Sequence, residues 1–578
     1  RVHDTCGALK ALAQAGWVEQ GDAQVLSEDY VAHRDLEHRI QMVGDEQTHS
    51  LPITEDGMAR VAALAGRETQ EYAAEIEARF ARVHAICEGF FAPKGGSENS
   101  QDSAPIPDSF NAVVTRWPDY PALRSDRARE VFARLRGGLL ARLAKAADPD
   151  AAVRNIDRFL AGLPAGVQVF SLFDANPQLL DLVVDIADTA PGLASYLARN
   201  SSVFDAVIAG TFFAPWPGRE PLRKELDAVL DVSPDYEAKL DAVRIWAREW
   251  HFRTGVHHLR GLIKGDEAGY QYADLARAVL EALWPVVAAN FAKRHGPAPG
   301  RGAAVLGMGS LGAGTLAANS DLDLIVIFDP DGVEASVGSK PLASGAYYAR
   351  LTQAFITALT ALTGQGRLYE VDMRLRPSGR KGPVATSLQA FINYQSNEAW
   401  TWEHLALTRG RPVAGDQRLM EEVEAFRRDL VARPRDRAEV LGDVKDMRER
   451  LAKAFRGDAG LDDLKRGPGA MQDIELLAST AALLSGNPAR GSRRQLSAGT
   501  DELGLNTGDT KNLLLLYERL SRLRQAMILS GGVPKPGTGA ERFVLAAGSA
   551  DTAATLDAEV SRDTAWANQT IAALLDPF

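Results

Sequence analysis

Cysteine is scarce in this sequence, with only Cys6 and Cys87 among 578 residues. Two thiols in so long a chain do not make a disulfide framework, and alone they cannot supply the four ligands of a structural zinc site. Their scarcity is typical of a reducing compartment, so we expect a cytoplasmic protein.

Long apolar runs and an apolar leader are also missing from the pattern. Residues 1–5 read Arg-Val-His-Asp-Thr, without an initiator methionine and without the apolar centre of a signal peptide. No apolar run looks long enough to cross a bilayer, so no membrane association is expected. The absent methionine indicates a fragment or a processed product.

Positive charge is not in excess. The chain has 65 Lys and Arg against 76 Asp and Glu, giving a formal net charge of −11 and an isoelectric point of about 5.5. Proteins that bind nucleic acid usually present a basic face. The balance therefore favours small-molecule and protein substrates, and no nucleic-acid partner is expected.

What the chain does contain is mostly helical periodicity on either side of a short strand-rich segment. Its length predicts several domains. Helices are predicted within residues 29–44, 58–91, 178–187, 193–199 and 237–252. Residues 93–105 are rich in turn-forming and polar residues, which indicates a linker. Residues 296–302 break the helical period at the start of the strand-rich segment.

The strand-rich segment holds three candidate strands. Ala303–Leu306 and Leu322–Phe328 are short and apolar, as buried strands are. Tyr369–Arg376 alternates instead, and its polar face carries Glu370, Asp372, Arg374 and Arg376. After residues 378–383 the helical period returns and continues nearly to the end of the chain. We expect an α+β fold in which a small sheet lies between helical regions.

A glycine-rich motif between the first two strands has two interpretations. Gly307, Gly309 and Gly312 match a dinucleotide-binding fingerprint, with Asp329 about twenty residues downstream. That fold requires a crossover helix between parallel strands, and such a connection needs a dozen or more residues. Only residues 313–320 remain here, so the dinucleotide interpretation is the weaker one.

The second interpretation accounts for more of the segment. Asp321 and Asp323 stand two apart on a strand, so their carboxylates point to the same face. Neighbouring carboxylates repel unless a cation lies between them, and Mg²⁺ prefers one or two carboxylates plus phosphate oxygens. The small residues Gly309 and Ser310 would let backbone N–H groups approach a triphosphate.

A two-metal site requires a third carboxylate, and Asp372 is the candidate. It shares the polar face of its strand with Arg374 and Arg376, which would hold phosphate or an acidic protein surface. The alternative is a solvated strand face with ordinary ion pairs.

These residues carry a family resemblance. Gly309-Ser310, then Asp321-x-Asp323 and a later Asp372, resemble the DNA polymerase β-type nucleotidyltransferase superfamily. Residues 369–379 and 398–416 resemble the second catalytic domain of glutamine synthetase adenylyltransferase, and residues 465–475 resemble the helical domain that follows it. The resemblance implies a polymerase β-like mixed sheet embedded among helical bundles.

The resemblance also implies a reaction and its components. AMP would pass from ATP to a tyrosine of glutamine synthetase with release of pyrophosphate. Asp321, Asp323 and Asp372 would bind Mg²⁺ and form the catalytic set, with Asp372 also helping to deprotonate the tyrosine. The nucleotide would contact Gly309, Ser310, Arg374 and Arg376. The PII signalling protein is an expected partner, and glutamine a possible effector. The family usually has lysine in place of Ser310, and a lost lysine would remove one phosphate-facing charge.

The expected domain division follows the same resemblance. Residues 1–92 would be a helical remnant of the first, deadenylylating half, because residues 38–52 resemble its helical domain. Residues 93–105 would be the linker, 106–300 a helical part, 301–416 the catalytic core and 417–578 a C-terminal helical bundle. The chain would then lack the catalytic domain that removes AMP.

Two other functions stay open on the sequence alone. One is a related nucleotidyltransferase with another acceptor, either a PII uridylyltransferase or an enzyme that adds RNA tails. The acidic composition and the absence of basic, aromatic runs speak against RNA. The other is a catalytically silent regulatory module that binds glutamine synthetase or PII, against which the complete carboxylate trio speaks.

Three aromatic side chains near the catalytic segment are expected in the core, namely Phe391, Trp400 and Trp402. Glu403 and His404 are adjacent, so they do not share a helix face and are not expected to form a metal pair. Residues 467–469, Gly-Pro-Gly, predict a turn before a helix that contains Asp473.

Overall fold

The computed structural model describes residues 4–14, 18–44, 51–52, 54–91, 107–200, 203, 212–455 and 460–577. The chain packs as two compact units. The first comprises Arg1–Lys145 with Ile156–Val184, and the second comprises Ala146–Asn155 with Asp185–Phe578. The linker predicted at residues 93–105 and part of segment 38–52 lie outside the described residues.

The first unit is helical throughout its described residues. Its helices, two of which continue into the second unit, are Thr5–Gln14, Gln20–Gly44, Glu55–Leu64, Thr69–Phe91, Asn111–Val114, Asp126–Ala144, Pro149–Gly162, Val167–Ala175 and Pro177–Thr189. The helix predicted at 29–44 is confirmed. The one predicted at 58–91 is divided, because Gly66 takes a positive φ of 67° and Glu68 caps the next helix by accepting from the N–H groups of Gln70 and Glu71.

The second unit is a small sheet surrounded by helices. Its helices are Pro191–Leu197, Arg219–Val232, Tyr236–Leu259, Gly265–His295, Gly309–Ala313, Ser344–Thr360, Leu388–Asn397, Thr401–Thr408, Gln417–Val431, Arg437–Ala454, Met471–Ser485, Ser492–Ala498, Thr500–Leu503, Thr507–Leu529, Gly539–Gly548 and Ala553–Leu575. Several of these helices begin after a polar residue whose side chain accepts a hydrogen bond from the backbone N–H three residues later. Asp416 and Asp436 are examples.

The sheet is mixed and five-stranded. Its strands are β1 (Gly302–Gly307), β2 (Leu322–Asp329), β3 (Val371–Asp372), β4 (Ala385–Ser387) and β5 (Arg411–Gly415). β1 pairs antiparallel with both β2 and β5, whereas β2 pairs parallel with β3 and β4. The α+β class expected from the sequence is confirmed.

Helices cover both faces of the sheet because β1 and β2 are apolar on both sides. One face, with Val305, Leu324 and Val326, packs on the helices Gly265–His295 and Ser344–Thr360. The other, with Leu306 and Ile325 among its residues, packs on Leu388, Phe391, Leu407, Leu419 and Val423. The two strands are therefore central and buried, and the residues at their ends are held in fixed positions.

The antiparallel pairing of β1 with β2 rules out the dinucleotide interpretation, which needs two parallel strands. The register runs from Gly302 opposite Asp329 to Gly307 opposite Leu324. Asp329, the acid that this interpretation required, accepts a hydrogen bond of 2.6 Å from Nε of Arg301 and another of 2.9 Å from the N–H of Asp331. It therefore serves a turn and an ion pair.

The third strand is shorter than its alternating pattern predicts. Instead of Tyr369–Arg376, only Val371–Asp372 pair as a strand. The Asp372 carboxylate accepts the N–H of Arg374 at 2.7 Å, which turns the backbone away from the sheet. The prediction that Arg374 and Arg376 continue the polar face of a strand was therefore wrong.

One helix, Gly265–His295, is long and apolar enough to cross a membrane, judged by length and composition alone. The sequence-based statement that no run has the necessary length was wrong for this helix. Half of its most apolar window is buried, with Leu275, Val279 and Leu283 in the core of the second unit. Burial accounts for its composition, as for a core helix of a soluble protein.

The expected aromatic core is only partly present. Phe391 is 1% exposed, but Trp400 is 73% and Trp402 39% exposed, so the prediction was wrong for both tryptophans. Trp400 lies just before the helix Thr401–Thr408, and its backbone N–H donates to the Glu403 carboxylate. The indole side chain is exposed to solvent. Glu403 also accepts a hydrogen bond from the Tyr394 hydroxyl, so it joins two neighbouring helices.

Candidate active site

A one-turn helix after β1 places the small residues of the glycine-rich motif against β2. Gly309 has a φ of +53°, which favours glycine. A Cβ atom on Gly309 would lie 2.3 Å from Oδ2 of Asp323. The N–H of the preceding Met308 donates to the Asp323 carbonyl at 2.8 Å. Gly309 is therefore required both by its backbone angle and by contact with a carboxylate, and the half-buried Ser310 follows it.

The three predicted carboxylates come to one end of two parallel strands. Asp321 is exposed just before β2, and Asp323 is half-buried within it. Parallel pairing sets Asp323 directly opposite Asp372 of β3. The structure thus brings together residues 49 positions apart in the sequence, at the edge where the Gly309 turn also lies.

Burial raises the pKa of the Asp323 carboxyl, and Asp372 and Asp321 raise it further, against the opposing effects of Lys465 and Arg409. Two carboxylates that destabilise each other in this way are a donor set that a divalent cation would stabilise. Asp321, Asp323 and Asp372 thus have the chemistry of ligands for a divalent cation.

In this structure Asp372 is engaged by Arg374. Nε of Arg374 donates to Oδ2 of Asp372 at 2.6 Å, beside the backbone hydrogen bond to Oδ1. Within the described ranges, no three His, Cys, Asp or Glu side chains are grouped closely enough to enclose a metal ion. A metal site formed by the trio would require the Asp372 carboxylate to exchange part of its bonding to Arg374 for the cation.

Arg376 braces the loop after β3. Its Nη1 donates to the carbonyl of Met373 at 2.7 Å, and its Nε donates to that of Pro383 at 3.1 Å. The two arginines predicted to contact the nucleotide are thus both used locally, Arg374 on a carboxylate and Arg376 on carbonyl groups. Further upstream, the buried Arg244 fixes the loop before β3 by donating to the carbonyls of Ala358, Ala361 and Gly366.

The comparisons with known proteins agree with this geometry. A model of the glutamate-ammonia ligase adenylyltransferase family matches residues 180–426, which include all five strands. The chain is 41% identical over 84% of its length to the bifunctional glutamine synthetase adenylyltransferase/adenylyl-removing enzyme of Brucella suis. It is 37% identical over 97% of its length to that of Agrobacterium fabrum, and 34% identical over its whole length to that of Bradyrhizobium diazoefficiens. The predicted resemblance to the glutamine synthetase adenylyltransferases is confirmed.

The similarity is partial when measured on the relatives. The chain spans 52% of the Brucella suis adenylyltransferase and 60 to 61% of the other two. Residues 1–91 match a second model, that of the GlnD PII-uridylyltransferase family. This second match covers helices of the first unit and none of the strands that carry the carboxylates.

Sequence reasoning missed two cations that act on the carboxylates at the start of β2. Arg409 and Lys465 both oppose the rise in the pKa of Asp323, although they lie 86 and 142 residues downstream. Both belong to segments whose family resemblance was recognised, 398–416 and 465–475. That resemblance was the available signal, but neither spacing nor periodicity connects such distant residues with Asp323.

Proposed function

We propose that this chain transfers AMP from ATP to a tyrosine of glutamine synthetase and releases pyrophosphate. The observation that carries the proposal is the register of β2 and β3, which sets Asp323 opposite Asp372 with Asp321 two residues upstream. The names of the relatives supply the acceptor and the nucleotide. This proposal extends to Mg²⁺ as the metal, the PII protein and glutamine as regulators, and the cytoplasm as the location.

The residues of the site have distinct tasks in this proposal. Gly309 and Ser310 offer backbone N–H groups to the phosphates without a side chain in the way. Asp321 and Asp323 hold the metal, and Asp372 accepts the proton of the tyrosine hydroxyl, whose free pKa is about 10. Arg374 reaches phosphate once Asp372 releases it. Bound Mg²⁺ would stabilise the charge that develops on the α-phosphate and the leaving pyrophosphate.

The same proposal includes the domain division that the sequence predicts. Residues 301–416 contain the five strands and the three carboxylates, which supports them as the catalytic core. In this division residues 1–92, 106–300 and 417–578 would be the helical parts and 93–105 the linker.

The test is incubation of the chain with glutamine synthetase, Mg²⁺ and labelled ATP, UTP, GTP or CTP in separate reactions. We expect label to enter glutamine synthetase from ATP, at a tyrosine. The Asp323→Asn variant serves as the inactive control. Absence of transfer from ATP, with wild-type protein folded, would contradict the proposal.

A second candidate rests on the PII-uridylyltransferase match over residues 1–91. A uridylyltransferase would label the PII protein from UTP instead. The match lies outside the carboxylate site, so it indicates a shared helical region more than a shared acceptor. Adding PII as the acceptor in the UTP reaction separates the two functions.

A further inference from the structure

A cavity of about 630 Å³ lies in the second unit, where several helices meet the loop before β3. This volume is that of a small-molecule site. Its walls come from the helices Pro191–Leu197, Tyr236–Leu259, Gly265–His295 and Thr507–Leu529 and from the segments 318–319 and 362–367. Segment 318–319 precedes Asp321, and segment 362–367 precedes β3. The cavity therefore borders both connections that lead to the carboxylate-bearing strands.

Part of the cavity lining is apolar and closely packed. Leu193, Phe252 and Leu529 line it and are all buried. A Cβ atom on Gly255 would lie 2.9 Å from Leu193 and 3.2 Å from Leu529, which places these two side chains next to each other. Leu362 lines the cavity as well, although it is 79% exposed. The cavity thus offers an apolar surface to the carbon skeleton of a ligand.

The charged part of the lining is positive. Among the described residues, three arginines line the cavity and no Asp or Glu does, in a chain whose net charge is −11. Arg367 forms an ion pair with Glu370 outside the lining. The Nε of Arg199 donates to the Ser195 carbonyl at 3.1 Å. Arg248 has neither a hydrogen bond nor an ion pair in the part of the chain that the structure describes.

The Arg248 side chain lies against a loop that is itself held in place. A Cβ atom on Gly366 would lie 2.1 Å from Nη2 of Arg248, so the guanidinium packs on the backbone before β3. Arg244, one helical turn earlier, donates to the carbonyls of Gly366 at 2.9 Å and Ala358 at 2.8 Å. A half-buried guanidinium without an acidic partner thus borders the cavity. Such a group attracts an anion.

We propose that this cavity binds a small organic anion, either a carboxylate or a phosphate ester. Its acid group would pair with Arg248, and its carbon skeleton would pack on Leu193, Phe252 and Leu529. A guanidinium binds either acid group through two N–H donors, and apolar walls with a few polar groups are typical of ligand sites. The inference goes beyond the proposed transfer of AMP, because its ligand is bound and not consumed.

The first experiment compares a fluorescent organic anion, anilinonaphthalene sulfonate, with its uncharged counterpart phenylnaphthylamine. Both are titrated into the full chain. We expect Arg248→Gln to weaken binding of the sulfonate about tenfold and to leave phenylnaphthylamine unchanged. Arg248→Lys should retain most of the affinity for the sulfonate. The control is Arg253→Gln on the same helix, since Arg253 donates to the Ala214 carbonyl and is not part of the lining; it should bind both compounds as the wild type does.

A second pair of variants tests the location of binding. Gly364 lines the cavity, and a Cβ atom there would meet open space. Gly364→Trp should therefore weaken binding of both compounds by occupying the cavity. Gly345→Trp is the control, because Gly345 also has open space around a Cβ atom but lies outside the lining.

Competition against the bound sulfonate identifies the acid group. Benzoate and phenyl phosphate share one apolar ring and differ in their acid, and benzamide carries no charge. We expect benzoate or phenyl phosphate to displace the sulfonate and benzamide to leave it bound.

The contrary outcomes are distinct. Unchanged sulfonate binding in Arg248→Gln, or equal weakening of both compounds, would show that Arg248 does not pair with the anion and would overturn the inference. Full binding of both compounds by Gly364→Trp would show that they bind elsewhere, which also overturns it. So would a wild type that binds no sulfonate, or displacement by neither acid. Thermal unfolding of each variant establishes that it is folded.

Discussion

At the scale of single residues, the Asp323 carboxylate destabilises the folded protein but is suited to binding a cation. It is half-buried on a central strand, opposite a second carboxylate and beside the Gly309 turn. Such an arrangement is unfavourable for folding without a cation and favourable for binding one. The same side chain should therefore show opposite effects on activity and on stability.

We expect Asp321→Asn and Asp323→Asn each to reduce AMP transfer at least about 100-fold, roughly 3 kcal/mol of transition-state stabilisation. The reason is that each removes a negatively charged ligand from the metal site. The measurement is the initial rate of labelling of glutamine synthetase. Asp329→Asn, at the far end of the same strand, is the matched control and should stay active. Near-normal rates for both site variants would refute the assignment.

The stability of Asp323→Asn should change in the other direction. Because the folded-state pKa of Asp323 lies above the unfolded value, its contribution to stability is fully present below the unfolded pKa and is lost as the pH rises through the folded pKa. The ionised carboxylate thus opposes folding at pH 7, and asparagine removes this penalty. We expect a higher melting temperature for the variant in the presence of EDTA. A lower one would show that Asp323 stabilises the metal-free fold.

At the scale of secondary-structure elements, the one-turn helix Gly309–Ala313 is a fixed spacer between β1 and the carboxylates. It closes at Gly314, which also has a positive φ, of 86°. Both ends of the turn thus depend on glycine, and one end lies against the Asp323 carboxylate.

Gly309→Ala should abolish transfer and destabilise the protein by about 1–2 kcal/mol. The added Cβ would collide with Asp323, and alanine is unfavourable at a φ of +53°. Gly345→Ala is the control, because it lies in the helix Ser344–Thr360 with open space around a Cβ atom. Denaturant unfolding and the transfer assay measure both effects. An active Gly309→Ala variant would show that the turn does not constrain Asp323.

The helix Tyr236–Leu259 is an element that responds to pH, because it carries buried histidines. His258 is 6% exposed and its ring lies edge-on to Phe543. Burial lowers the pKa of His258 to about 4, and Asp266 only partly offsets this effect. Since the unfolded pKa is about 6.5, the stability contribution is fully present above that value and is lost as the pH falls toward 4.

We therefore expect His258→Gln to flatten the loss of stability on the acid side. Between pH 7 and pH 5 the wild type should lose about 2 kcal/mol through this residue, because the unfolded chain takes up the proton first. Urea unfolding at several pH values measures the slope. His38→Gln, at an exposed position of the first unit, should leave it unchanged. An unaltered slope in His258→Gln would mean that His258 is protonated in the folded protein.

At the scale of the whole molecule, the second unit depends on polar contacts between residues far apart in sequence. Arg409 follows the helix before β5, and Glu475 lies on a C-terminal helix, where it also accepts from the Tyr517 hydroxyl at 2.9 Å. Although burial alone would raise the pKa of Glu475, Arg409 and Tyr517 hold it below its ordinary value. The pair is thus ionised, with Arg409 buried and Glu475 partly buried.

Glu475→Ala should destabilise the protein by about 3–5 kcal/mol, because it leaves the Arg409 guanidinium buried without its partner. The double variant Arg409→Met/Glu475→Leu should recover most of that loss, since no charge then remains buried. Glu449→Gln, which removes only an exposed pairing with Lys453, is the control. Denaturant unfolding gives the free energies. A Glu475→Ala variant as stable as the wild type would contradict the role of the pair.

Apolar runs and short residue spacings in the sequence predicted those parts of the fold that depend on neighbouring residues. The apolar runs of β1 and β2 were recognised with nearly correct bounds, and Asp321 and Asp323 followed from a two-residue spacing. Asp372 was placed on the correct strand. The alternating sequence continues beyond Asp372, but the strand ends there because the Asp372 carboxylate accepts a hydrogen bond from the backbone N–H of Arg374. Periodicity does not register such a competing bond.

Tertiary placement was the part that local patterns did not contain. Trp400 and Trp402 have the composition of core residues, yet they flank and begin a helix whose buried face lies elsewhere. Arg409 and Lys465 influence the pKa of Asp323 from distant segments of the chain. Their roles depend on where the C-terminal helices dock, and one sequence does not specify that.

Because β2 is long and β3 is short, we expect the backbone amides of β2 to exchange their hydrogens slowly and those of β3 to exchange them fast. β2 is bonded to β1 over six residue pairs, from Gly302 opposite Asp329 to Gly307 opposite Leu324, whereas β3 contributes only Val371 and Asp372. Amides in the middle of β2 should exchange only through global unfolding, but those around Asp372 should exchange through local opening. A metal that joins Asp372 to Asp323 would remove this difference. Protection gained at residues 371–374 on addition of Mg²⁺ would thus report occupancy of the site without any turnover.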